Sequence, residues 1–306
     1  MKQFLKKLAI LALICVLITV FANLAFLFVR GSLIPEYVDR FLNIPEGIQV
    51  ANLGNSHGQS GFQYTHHPEI VSANLAFGSQ DLIHDEKILL NYIDHFQRGA
   101  TLYIPVTYPS LVQNYSNRED FLSLNRRYYY FMRPSLITDF SLREWATVML
   151  PGLFVPNWTA EYWRTDEFTE AGEQTVNNIN LEDDANAAVE RHILKWQKDG
   201  AYVLNSENTD CLLRIIVLCK KNGINPVLIT TPFLREYNDC VPAEFLSVQR
   251  TFLISLANEN EIPYLDFSQD SRFVDRHDLF LNSDHLNNTG GLLFTDILLS
   301  GENPIS

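Results

Sequence analysis

Only four cysteines occur in 306 residues. Cys15 sits in an apolar run, Cys211 and Cys219 share an apolar helical stretch, and Cys240 stands alone. No CxxC pair or Cys/His spacing offers a zinc site. Phosphate-cradling glycine loops and dinucleotide fingerprints are missing too, which removes NAD, FAD and nucleoside triphosphates from consideration. Positive charge is scarce: 23 Lys and Arg face 36 Asp and Glu, a net −13, and without residues 1–30 the balance is −17. Such a surface repels a phosphate backbone, so nucleic acid is excluded as a partner. The histidines show no metal spacing with a carboxylate partner, and no metal is expected. A composition that is 46 % hydrophobic nevertheless suffices for a full core and excludes disorder.

What the sequence does have is one long apolar run. Leu8 to Val29 carries no charge and, as a helix, spans roughly 33 Å, enough to cross a bilayer. A secretory apolar region is usually about 7–15 residues, and Ala22-Asn23-Leu24-Ala25 is only a fair cleavage site, so an uncleaved anchor is expected rather than a signal peptide. Lys2, Lys6 and Lys7 before the run, with Arg30 just after it, place the N-terminus in the cytoplasm and export the rest. Residues 31–46, with Pro35 and Pro45, read as a linker, and 47–306 as the domain that carries function.

Past the linker the chain alternates strand and helix signals. Ile48–Leu53, Ile70–Phe77, Leu102–Val106, Pro226–Thr230 and Ile262–Leu265 read as strands. Asp81–Phe96 (capped by Ser79 or Asp81), Asn208–Asn222, Glu244–Glu259 and Gly291–Ser300 read as helices. The expectation is an α/β fold, a three-layer sandwich around a mainly parallel, flavodoxin-like sheet, with ligand chemistry at the carboxyl ends of the strands. Residues 109–205 break the alternation and read as a helical insertion or cap. It holds Trp145, Trp158, Trp163, Trp196 and the triplet Tyr128-Tyr129-Tyr130, which suit either a stacking platform for sugar rings or the cap's own small core. Nine carboxylates against one arginine from Glu161 to Glu190 lack calcium-loop spacing and read as a solvated face. Triplets at Asn114, Asn157 and Asn287 fit the glycosylation pattern, which also arises by chance.

Two segments carry the chemistry. Leu53-Gly54-Asn55-Ser56-His57-Gly58 leaves the first strand through a glycine-flanked turn that can lift a serine hydroxyl from the sheet edge, which makes Ser56 the candidate nucleophile. Asn282-Ser-Asp284-His285-Leu-Asn287, before the last helix, supplies an imidazole to take the serine proton and a carboxylate to hold that imidazole. His57, adjacent to Ser56, is expected to point away from it and line the pocket or entrance. Without further information Gly-Asn-Ser is also ordinary turn vocabulary.

The pairing of an early Gly54-Asn55-Ser56-His57 with a late Asp284-His285-Leu-Asn287 resembles the SGNH, or GDSL-like, hydrolase family. Gly54-Asn55-Ser56 stands where that family has Gly-Asp-Ser, Asn74–Gln80 is similar to its second block, and Val227–Pro232 to the strand before its final helices. The resemblance covers residues 48–108 and 207–300 and looks nearest to membrane-anchored members, the D-alanyl transfer proteins and the polysaccharide O-acetyl esterases or transferases. It implies a cofactor-free serine esterase or acyltransferase acting through an acyl-enzyme on O-acyl groups of a cell-envelope carbohydrate polymer, with an acyl-donor membrane protein as a further partner. The catalytic residues would be Ser56, His285 and Asp284, and the oxyanion donors the Ser56 and Gly78 amides with Asn55 or Tyr108 added. The family places its aspartate three residues before the histidine, where this chain has Asn282, so either Asp284 or Asn282 orients the ring. The family's third block is absent, the third strand leading instead to Val106-Thr-Tyr-Pro109. An uncharged partner would weaken catalysis, and a binding or scaffolding subunit of a polymer-modifying complex is the alternative.

Overall fold

The structure, a computed structural model, describes residues 1–113, 121–158, 176 and 180–305. Asn114, Trp163 and the acidic run before residue 180 lie outside the described residues. The chain forms two compact units, one of residues 1–43 and 122–166 and the other of residues 44–121 and 167–306.

The larger unit is an α/β fold built on five strands: β1 (Ile48–Asn52), β2 (Ser72–Asn74), β3 (Phe96–Pro105), β4 (Asn225–Thr230) and β5 (Tyr264–Asp266). They are ordered β2-β1-β3-β4-β5, every pair parallel, with Asn52 opposite Asn74 on one side and Tyr103 on the other. That order is the flavodoxin-like one, and it reverses direction at β1, where such folds bind ligands. β2 is shorter than its apolar run because Leu75 and Phe77 turn aside to donate singly to Asn52 O and Gly54 O. β3 is longer, because the preceding helix, Leu82–Tyr92, capped by Asp81, tightens into a 3₁₀ turn and releases the chain at Phe96.

Alternation along the strands divides the core. Tyr103 and Ile229 pack with Phe294, Ile297 and Leu298 of the last helix, Asn288–Leu299. The helices Leu82–Tyr92 and Ser206–Lys221 pack on each other, the second capped by Asn205. A further cluster places Ala185, Ala188 and Val189 of the helix Leu181–His192 against Tyr108, Phe233, Tyr237 and Phe245. Spacing of three and four residues brings those small side chains onto one face, so this part of the insertion seats closely on the sheet unit.

The smaller unit begins with a 29-residue helix, Lys2–Arg30, long and apolar enough to cross a membrane. The stretch read as linker carries a 3₁₀ turn, Glu36–Val38, and a short helix, Asp39–Leu42. Phe41 stacks on Phe131 at 4.5 Å, and Tyr128 and Tyr129 are buried, Tyr129 stacking on Phe140, so part of the aromatic set forms this unit's own core. Asn157 and Asn287 are both buried with their side-chain amides donating to backbone carbonyls, which removes them as glycan acceptors.

Candidate active site

β1 ends one residue before Leu53, and the chain then reverses at Gly54, whose φ of +117° suits a residue without a side chain. Asn55 caps the short helix Ser56–Gly61, its Oδ1 accepting the His57 amide at 3.1 Å. Ser56 therefore opens a helix at the carboxyl end of β1, half-buried, at the point where the strand order reverses. Below the turn, Asp85 accepts the Gly54 amide at 2.9 Å and the Gln80 side-chain amide at 2.6 Å. Burial pushes the Asp85 carboxyl up to about 7, against the opposing pull of those two donors.

The other half of the site is a tight loop. Leu281 N donates to His285 O, and Asn282 Oδ1 accepts the amides of His285 at 2.8 Å and Asp284 at 3.3 Å. Asp184, from the insertion helix, accepts both the amide (2.9 Å) and the hydroxyl (2.6 Å) of Ser283. Asn287 then caps the last helix at Gly290 N. A side chain at Gly291 would meet Ser60 O at 2.3 Å, so glycine is what lets the last helix and the Ser56 helix approach.

These two segments bring His285 Nε2 to 2.8 Å from Ser56 Oγ. Its Nδ1 faces two acceptors, Asp284 Oδ1 at 2.9 Å and Asn282 Oδ1 at 3.1 Å. The hydrogen-bond pattern thus assigns the proton to Nδ1 and leaves the Nε2 lone pair to receive the Ser56 hydroxyl. Both residues named for the orienting role reach the ring, the carboxylate more closely than the amide.

Asp284 is 1 % exposed and is the hub of a wider group. Its Oδ2 lies 2.9 Å from His57 Nε2 and 3.6 Å from His192 Nδ1, and the latter is 3.0 Å from the Tyr237 hydroxyl. Burial alone would raise the Asp284 carboxyl, but the charge and bond of His285 and the bond of His57 outweigh it and hold Asp284 well below the usual range. Burial, then the proximity of His285, pushes His57 down to about 4, with Asp284 only partly offsetting this. Burial likewise pushes His192 down to about 3. Both are neutral near pH 7, so His57 donates through Nε2, and its Nδ1, 3.1 Å from the oxygen that caps its own amide, makes no bond there. His57, Asp284 and His285 lie within 4.8 Å of one another, as metal ligands would. The His57 and His285 nitrogens instead each meet a different carboxylate oxygen of Asp284 at 2.9 Å, a pattern of proton donors on an acceptor.

His57, expected to point away from Ser56 and line the pocket or its entrance, is buried, 3 % exposed, against Asp284 and His285. Residues 56–61 form a helix, where successive side chains turn by about 100° rather than alternating. His57 thereby reaches Asp284, Nε2 to Oδ2 at 2.9 Å. Tyr108 is corrected as an oxyanion donor, because its buried hydroxyl donates to Asn238 Oδ1 at 3.0 Å. Asn55 Nδ2 donates to Thr107 Oγ1 at 3.0 Å, and Gly78 follows the Phe77 amide that binds Gly54 O. His192, Asp184, Tyr237 and Asp85 escaped sequence reading, since each reaches the site only through tertiary packing and none stands in a recognisable motif.

No family model and no curated protein matches this chain. Among solved structures, a protein assigned as an acylhydrolase from Bacteroides fragilis is similar over 87 % of this chain and 93 % of its own, at 12 % identity and a TM-score of 0.41. An acetylxylan esterase from Geobacillus stearothermophilus is similar over 84 % and 94 %, at 12 % identity and 0.38. A protein assigned as a GDSL-like lipase from Parabacteroides merdae is similar over 84 % and 96 %, at 10 % identity and 0.39. Such values establish no shared chemistry; that question falls to the side chains themselves.

Proposed function

We propose that this protein is a serine ester hydrolase or O-acyltransferase, with Ser56 as nucleophile, His285 as general base and Asp284 as the acid that orients it. The observation that carries the reading is the 2.8 Å approach of His285 Nε2 to Ser56 Oγ while Asp284 holds the opposite ring nitrogen at 2.9 Å. Ser56 Oγ attacks the ester carbonyl as its proton passes to His285 Nε2. The tetrahedral oxyanion is met by the amides of Ser56 and Gly78, with the remaining N–H of Asn55 Nδ2 as a further donor. Collapse expels the alcohol, which takes the proton from His285 and leaves an acyl-serine. Water resolves it in hydrolysis, a sugar hydroxyl in transfer, with His285 again accepting the proton. This cycle requires no cofactor.

The substrate we assign is an O-acylated carbohydrate or other cell-envelope polymer, with an acyl-donor membrane protein as partner if the reaction is transfer. The long apolar helix and its lysine-rich start support an anchored protein with its N-terminus in the cytoplasm and its larger unit outside. The non-catalytic scaffold reading depended on an amide replacing the acid, and the carboxylate of Asp284 on His285 Nδ1 favours catalysis over it. The test is a serine-directed fluorophosphonate applied to the full chain in detergent. A single adduct on Ser56 is expected; no adduct, or one on another serine, overturns the assignment.

A further inference from the structure

The helix Leu142–Met149 in the smaller unit buries its Thr147 and Val148 side and leaves an apolar stripe outside. Leu142, Trp145 and Met149 stand at i, i+3 and i+7, on one face, and are 71 %, 37 % and 40 % exposed. Phe140 before the helix and Leu153 after it are exposed as well. Isolated exposed apolar side chains are ordinary, but five within fourteen residues, one of them tryptophan, need a covering.

What lies next to this stripe indicates the covering. The helix runs directly into Pro151–Leu153, which is seated on the long apolar helix. Gly152 N donates to Asn23 Oδ1, and a side chain at Gly152 would meet Ala22 O at 2.3 Å. Trp158 packs edge-on to Phe26 at 5.0 Å, and Arg30 donates to Trp158 O. At about 1.5 Å per residue, Ala22 to Phe26 lies roughly 6–12 Å along the axis from Arg30, comparable with the roughly 5–10 Å to which an interfacial helix buries its apolar face. Charge agrees. Leaving out Lys2, Lys6 and Lys7, which the span holds on its other side, residues 1–43 and 122–166 carry seven Lys and Arg against six Asp and Glu, close to neutral, while the larger unit holds thirteen against thirty. The exposed Arg143 stands in the same helix, next to Leu142.

We propose that the face formed by Leu142, Trp145 and Met149, with the exposed Phe140 and Leu153 at either end of the helix, lies in the interface of the bilayer that the apolar helix spans, as a second and interfacial membrane contact. The inference rests on reading Lys2–Arg30 as a membrane span. Tryptophan and arginine suit that depth, the ring partly apolar and the guanidinium able to meet lipid phosphates.

The test is photocrosslinking of the full chain in vesicles of phosphatidylethanolamine and phosphatidylglycerol, with p-benzoylphenylalanine placed singly at Leu11, Trp145 or Val217. Val217 is an exposed apolar residue of the sheet unit and serves as the control. Lipid adducts at positions 11 and 145, each at least fivefold above position 217, are expected. Adducts at 11 alone overturn the interfacial contact and leave the span standing. Absence of adducts at both 11 and 145 removes the span and the inference together. Crosslinking of position 145 to another protein chain overturns the inference in favour of a protein interface, and equal yield at all three positions overturns it as unspecific.

Discussion

The imidazoles of His57 and His285 lie face to face, their centroids 4.1 Å apart and their planes 10° from parallel, and each donates to a different oxygen of Asp284. Asp284 is thereby fixed from both sides. A carboxylate adjacent in the chain to the ring it orients has little backbone leverage of its own, and the bond from His57 supplies the second point of attachment. Because His57 follows Ser56 directly, the same bond ties the nucleophile's helix to the base's loop.

His57→Phe keeps the stacked ring and removes the donor, so kcat is expected to fall about ten- to a hundredfold with KM within about twofold. His57→Gln restores an N–H near the Nε2 position and is expected to recover most of the loss. Steady-state kinetics on a model acetyl ester decides; equal activity in both variants would show that the bond has no role in turnover.

Ser56→Ala and His285→Ala are each expected to lower esterase kcat by at least about a thousandfold. The double variant should be hardly worse, because members of such a group act as a unit. For Ser56→Ala, calorimetry should find the melting temperature nearly unchanged, since that hydroxyl is half-buried at a strand-end turn and contributes little to the core. Losses that multiply in the double variant would show that the two residues act separately.

Asp284→Asn is expected to cost far more than Asn282→Ala, up to about ten-thousandfold, because an amide there does not enforce the Nδ1–H tautomer. Asn282 Oδ1 also accepts two loop amides, so its loss should register mainly in thermal stability, by about 1 kcal/mol. The reverse order of kcat values would transfer the orienting role to Asn282.

Asp85 gives a pH signature. Its carboxyl is raised to about 7 in the folded state, so between pH 4 and 7 the folded protein holds a proton that the unfolded chain releases. Stability from this group is present at low pH and is lost as pH rises through 7. Asp85→Asn keeps an acceptor for Gly54 N and cannot ionise. Its melting temperature relative to the native chain should therefore climb from pH 4 to pH 7, by at most about 1.4 kcal/mol per unit in free energy. A difference that stays flat across that range would place the Asp85 proton elsewhere.

A periplasm-dependent reporter fused after Ser306 is expected to be active, and the same fusion lacking Lys2, Lys6 and Lys7 to lose that activity in part. Activity from a cytoplasm-dependent reporter at the same position would invert the topology.

Much of the fold was legible in the sequence because its signals are local. The apolar run that ends at Gly54 marks the exit of β1, Asp81 announces its helix by capping it, and Leu8 to Val29 carries its length in its composition. Ser56, Asp284 and His285 could be named because strand exits and pre-helix loops are where such side chains become exposed to a ligand. The division of the insertion could not be read. Residues 122–158 join the apolar helix, whereas Leu181–His192 joins the sheet, and that choice depends on which faces are complementary.

The sequence alone determined the apolar helix, the alternating α/β order and the residue types available for acyl chemistry, since these follow from periodicity and from neighbours a few positions apart. Tertiary structure decided that Asp284 is shared by His285 and His57, that His192 and Asp184 enter from a distant helix, and that Tyr108 turns its hydroxyl away. Those arrangements join segments separated by about a hundred residues or more, and the directions of buried N–H and O–H groups are fixed only when packing has removed the water that would otherwise satisfy them.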